Sequence, residues 1–204
     1  MQDNINSSVI TGIHKGIVEG LHSSADAGGS VPAGAFFSAL KENMLSNYRL
    51  WHLEDDARME GVDDSLIADI KRRIDRENQR RNDLIEAMDT ALESLLPELT
   101  EEERDILPSN TETPGSAIDR MGIAALKIFH MAGEAEREGA SAEHRRKSAA
   151  RLALISRQLS DLGSAFDSLI SDLFGKNRQL KIYRQFKMYN DPELNPSLYG
   201  KNKR

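Results

Sequence analysis

From residue 7 onwards apolar side chains recur every three to four positions, and almost nowhere do they alternate as a half-buried strand requires. That periodicity predicts an all-α chain, a bundle of four to five long helices. A first helix is expected over Asn6–His22, with Val9, Ile10, Ile13, Ile17 and Leu21 on one face. Gly12, Gly16 and Gly20 lie side by side at i, i+4 spacing, and the expectation for them is close packing on a neighbouring helix. Residues 23–34, rich in Gly, Ala and Ser, read as a loop. A second helix runs from Ala35 to Glu60 and stops at Gly61. The third starts at the capping run Asp63-Asp64-Ser65 and ends before Pro97. An acidic connection with one turn of helix at Glu101–Asp105 follows, then a helix over Ser116–Glu138 and another from Ser141 to Phe174. Past Gly175 comes a basic-aromatic arm. Residues 1–190 make one helical-bundle domain and 191–204 a tail.

The second and third helices break the pattern where it matters. In the second, Asn47, Glu54 and Arg58 project between Leu50, Leu53 and Ala57 on one side and Trp51 on the other. In the third, Leu66, Ile67, Ile70, Ile74, Leu84, Ile85, Met88, Leu92 and Leu95 form a stripe about 120° wide. Between Ile74 and Leu84 no apolar residue occurs. Arg81 takes the centre of the stripe there, with Glu77 and Asn78 at its edges and Lys71, Asp75, Asn82 and Asp89 along one border. An unpaired buried charge is costly, so charges at such positions must be paired, hydrogen-bonded or face a cavity. Arg81 therefore calls for an anion: Glu54, Glu77, or a ligand's phosphate or carboxylate. The structural reading is a register-fixing network such as Glu54–Arg81 and Arg58–Asp75.

The 204 residues contain no cysteine, which removes disulfides, thiolate zinc sites and cysteine nucleophiles. A formal net charge of −6 argues against nucleic-acid binding and membrane-surface attachment. No apolar run approaches the roughly 20 residues of a membrane span, and Met1-Gln2-Asp3-Asn4 lacks the basic start of a targeting segment. The expected location is cytoplasmic. Carboxylates at Glu54, Asp55, Asp75, Asp89 and Glu86 suit Mg2+ or Mn2+, with Asp55 and Asp75 the leading ligands. Lys176, Arg178, Lys181, Arg184 and Lys187 interleave with Tyr183, Phe186 and Tyr189, a patch suited to a phosphate or to the protein's own carboxylates. His14, His22, His52, His130 and His144 show no ligand or triad spacing, and the serines no nucleophile context.

Two stretches carry a family resemblance. Residues 47–58 (Asn-Tyr-Arg-Leu-Trp-His-Leu-Glu-Asp-Asp-Ala-Arg) with residues 71–83, and the segment Tyr183 to Pro196, resemble an uncharacterised bacterial family, domain of unknown function 4254. The resemblance implies an all-helical bacterial protein without established activity. It also implies the company of lipopolysaccharide and other glycan-assembly enzymes, and so a phosphorylated or nucleotide-linked sugar as ligand.

The expected function is a pocket for an anionic, phosphorylated small molecule between the second and third helices. Arg58 and Arg81 would clamp the anion. Asn47, Asn78 and Asn82 would orient it, and Trp51 would wall the pocket. Arg184 and Lys187 would close over it from the arm. Glu54, in a partly apolar setting, is the candidate general acid or base of a hydrolase or transferase. The alternative is a non-catalytic module whose polar residues only fix helix register, acting as a homo-oligomer or through a partner protein docked on the arm.

Overall fold

The computed structural model describes residues 4–23, 31–61, 63–184 and 193. About three-quarters of the described residues are helical, with no strand among them. Six helices follow in order: α1 (Ser7–His22), α2 (Ala35–Asp56), α3 (Asp64–Glu93), the short α4 (Glu101–Ile106), α5 (Pro114–Glu136) and α6 (Ala142–Phe174). The five long ones match the expected bundle. The main departure in boundaries is the end of α2, which unwinds at Asp56, with a turn through 57–58 before Gly61 reverses the chain at φ 74°.

Five of the six starts are written in the sequence, α2 alone beginning after Gly34 with no side-chain cap. Asn6, Asp63, Thr100, Thr113 and Ser141 all accept a backbone N–H from the first turn of the helix they precede. Thr100 and Glu103 complete a capping box that holds the six residues of α4 in place.

α2 packs mainly along α3, and α5 mainly along α6; α1, packed on α2, α5 and α6, and α5, packed on α2 and α3, join the two pairs. Ile10, Ile17, Leu40, Met44, Met88, Leu92, Ile118, Met121, Leu126 and Phe166 form the fully buried centre. Each large side chain there stabilises the fold by roughly 1.5–3 kcal/mol relative to exposure. Leu50, Leu53, Ile70 and Ile74 form a separate apolar cluster between α2 and α3. The polar stretch 75–83 of α3 separates the two, as the broken stripe predicts.

The glycine face of α1 is a correction. A Cβ added at Gly12 or Gly16 would meet nothing within 4 Å, so neither permits a close approach. Close approach occurs instead at Gly115, where an added Cβ would lie 2.6 Å from the Ile85 carbonyl oxygen. The start of α5 can press on α3 only because that position has no side chain.

Candidate functional site

The polar band is organised by a residue outside both stretches just described. Asp119, on α5 and 2% exposed, receives Arg81 in a two-pronged ion pair, Nε to Oδ1 at 2.8 Å and Nη2 to Oδ2. Asn43 and Asn47 on α2 donate their side-chain amides to the same Oδ1 at 3.0 and 2.9 Å. Burial pushes the Asp119 carboxyl up, but hydrogen bonds from Arg81, Asn47 and Asn43 outweigh it and hold the carboxyl below its ordinary range. One carboxylate thus joins α2, α3 and α5.

This corrects the expected Glu54–Arg81 pair. Glu54 has a side chain 44% exposed and among the described residues reaches Arg58 alone, at 3.6 Å. Arg58, 68% exposed, also touches Asp55 at 3.4 Å, so the Arg58–Asp75 link is replaced by contacts within one helical turn. Glu77 turns away from Arg81 and takes Ser46 Oγ at 2.8 Å and Arg49 Nε at 3.1 Å. Phase errors are not the cause: Asn47 and Arg81 are inward as expected, but the anion they seek comes from a third helix.

Beside this network lies a cavity of about 310 Å3 lined by Asn47, Leu50, Trp51, Glu54, Asp55, Arg58, Asn78, Arg81, Ile123 and Leu126. Seven of the candidate residues, Asn47, Trp51, Glu54, Asp55, Arg58, Asn78 and Arg81, therefore share one site. Asn82 does not line it. Asp119 occupies two donor nitrogens of Arg81, and among the described residues Nη1 has no hydrogen-bond partner. The half-buried Asn78 makes no hydrogen bond among the described residues. A second cavity of about 310 Å3, also between α2 and α3, is lined by Tyr48, Arg49, His52, Leu53, Asp56, Arg73, Arg76 and Glu77.

Carboxylate ligation gains no support. Asp75 is exposed on α3, while Asp89 is 2% exposed and accepts the Gly115 N–H at 2.6 Å across the α3–α5 contact. Burial pushes the Asp89 carboxyl up to about 6, against hydrogen bonds from Thr113 and Gly115. Among the described residues, three side chains able to share an ion come together only at His22, His52 and His130. That grouping was invisible to local spacing because α1, α2 and α5 contribute one histidine each.

The arm takes the self-pairing course at its start. Lys176 reaches the Glu103 carboxylate at 3.3 Å, and Arg178 reaches Asn110 at 2.7 Å and Asp172 at 3.6 Å. Gln179 donates to the carbonyls of Arg104 and Leu107, and its backbone N–H to that of Pro108 at 3.0 Å. Arg184 is exposed and lines neither cavity. Lys187 lies outside the described residues.

No helix among the described residues is long and apolar enough to cross a membrane. A family model described as "Protein of unknown function (DUF4254)" matches residues 38–182. No curated protein and no solved structure matches the chain.

Proposed function

We propose that this chain, which belongs to the DUF4254 family of proteins of unknown function, binds a phosphorylated small molecule in the cavity between α2, α3 and α5. The observation that carries the reading is the convergence of Arg58, Asn78 and Arg81 on one cavity. Among the described residues Arg58 is held there by two long contacts, to Glu54 and Asp55 at the end of α2, which a phosphate can displace. Asn78 is unengaged, and Arg81 keeps Nη1 for a ligand while Asp119 fixes its guanidinium in place. Such preorganisation lowers the ordering cost of binding. The Trp51 ring offers a flat wall for a base or sugar, and Glu54 is the group positioned to exchange a proton with a bound substrate. A nucleotide or sugar phosphate fits this chemistry.

A thermal-shift series with inorganic phosphate, nucleotides and sugar phosphates tests it. A ligand at 100 times its Kd stabilises by roughly 2.7 kcal/mol, or about 5–10 °C for a chain of this size. Arg58→Gln and Asn78→Ala should abolish that shift while leaving the unliganded Tm within about 2 °C, as expected of half-exposed and exposed positions. Lack of any shift, or a shift unchanged in both variants, refutes the reading.

One observation favours the second reading, a scaffold without catalysis. The Asp119 carboxylate is fully engaged inside the bundle, taking Asn43, Asn47 and two nitrogens of Arg81. On that reading Arg81 serves helix register alone, and the phosphate series gives no shift.

A further inference from the structure

His22, near the end of α1, His52 on α2 and His130 on α5 meet at the centre of an aromatic cluster. Ring centroids are 5.6 Å apart for His22 and His52, 5.1 Å for His22 and His130, and 5.9 Å for His52 and His130. The rings are held from outside. His130 stacks flat on Trp51 at 4.7 Å, His22 stacks on Phe129 at 4.2 Å, and Tyr48 meets His52 edge-on at 4.5 Å.

Stacking accounts for the ring faces but not for the nitrogens. Nε2 of each of the three is buried and has no hydrogen-bond partner among the described residues. Burying a polar nitrogen without a partner is costly, and doing so three times at one point calls for a shared partner. One ring nitrogen of each histidine lies within 4.8 Å of the others. Tetrahedral zinc, with Zn–N near 2.0–2.1 Å, sets such atoms roughly 3.4 Å apart, a closure that small side-chain rotations supply.

The tautomer at His22 agrees. Its Nδ1 lies 2.8 Å from the Val18 carbonyl oxygen, which can only accept, so Nδ1 carries the proton and Nε2 offers its lone pair. A ring N–H donated to a backbone carbonyl is the support that orients metal-bound imidazoles.

We propose that His22, His52 and His130 form a binding site for one divalent transition-metal ion, Zn2+ in the first place. Three imidazoles with no thiolate suit Zn2+, and also Co2+ or Ni2+, and disfavour Mg2+. Three protein ligands leave a coordination position for water or an anionic group, the pattern of reactive rather than purely structural zinc. The surroundings fit that openness: His52 and Tyr48 border the cavity that holds Arg49, Arg73 and Arg76, while Trp51 and Asp55 border the phosphate cavity. The inference stands apart from the phosphate reading, because metal uptake is measured with no anion present.

The test uses the full chain, freed of metal with a chelator and titrated with Zn2+, and in parallel with Mg2+, by calorimetry and metal analysis. One equivalent of Zn2+ should bind, Mg2+ should not compete, and the Tm should rise. His22→Phe, His52→Phe and His130→Phe keep an aromatic ring in the cluster and should each lose the bound equivalent. X-ray absorption of the zinc-loaded wild-type protein, which needs no variant to fold, should show three imidazole ligands. Zinc uptake no greater in the wild type than in the triple Phe variant overturns the proposal. So does uptake that survives the Phe changes but is lost in His144→Gln, since the ion would then sit on the surface pair His144–Glu134. A zinc spectrum with fewer than three imidazoles overturns it equally.

Discussion

Replacing Arg81 by Met is the most informative single perturbation of the bundle. Asp119 would keep its charge at a position only 2% exposed, with Oδ2 deprived of Arg81 and Oδ1 left to Asn43 and Asn47. Breaking a buried ion pair from one side costs roughly 3–5 kcal/mol. The two remaining amides and the 27% exposure of the Arg81 side chain place the expected loss at the low end, about 3 kcal/mol. For a chain of this length that lowers Tm by roughly 6–12 °C. Adding Asp119→Asn removes the stranded charge and should restore at least half of the loss, a coupling that a double-mutant cycle reads directly. The pH dependence has a fixed sign. Asp119's carboxyl is depressed in the folded protein, so its contribution is present above the ordinary carboxylate value and lost as pH falls through the lowered one. The gap between wild type and Arg81→Met should therefore be full above the ordinary carboxylate value and narrow as pH falls below about 4. Urea denaturation of the four proteins at several pH values measures it. A single variant within about 1 kcal/mol of wild type at neutral pH, or no recovery on adding Asp119→Asn, would refute the argument.

Asp89 behaves oppositely. Its carboxyl is raised from 3.8 to about 6, so its contribution is fully present below the lower value and lost as pH rises through the higher one. Asp89→Asn keeps an acceptor for Gly115 and should raise stability near pH 7 by about 1–3 kcal/mol, flattening the urea midpoint between about pH 4 and 6; unchanged or lower stability near pH 7 would contradict this. Gly115→Ala would set a Cβ 2.6 Å from the Ile85 carbonyl oxygen and 2.9 Å from the Asp89 carboxylate, and should cost about 1–3 kcal/mol or more by urea denaturation. A neutral effect would mean that α5 can lift from α3 freely.

Periodicity and capping residues made the helices legible, because both are local properties of the chain. Asn47 and Arg81 were legible too, since a polar residue in the middle of an apolar stripe is conspicuous. Their anion was not, although Asp119 shares a helical face with Gly115, Gly122 and Leu126, a charge in an apolar stripe and so a signal of the same kind. Glu54 misled because it shares a face with Asn47 at i, i+7; the unwinding of α2 after Asp56 leaves that end of the face open to solvent. The histidine cluster had no local trace, because helix packing alone brings together residues 22, 52 and 130.

Gln179 has a consequence for how the molecule opens. A six-residue helix does not persist on its own in water, and α4 is tied at its C-terminal end by Gln179 and on its first turn by Lys176. The residues just past α6 thus act as the clasp of a segment more than seventy positions earlier. These contacts join stretches far apart along the chain, and amide exchange in α4 should follow the fraying of α6's last turn rather than that of α3 or α5, its neighbours in sequence.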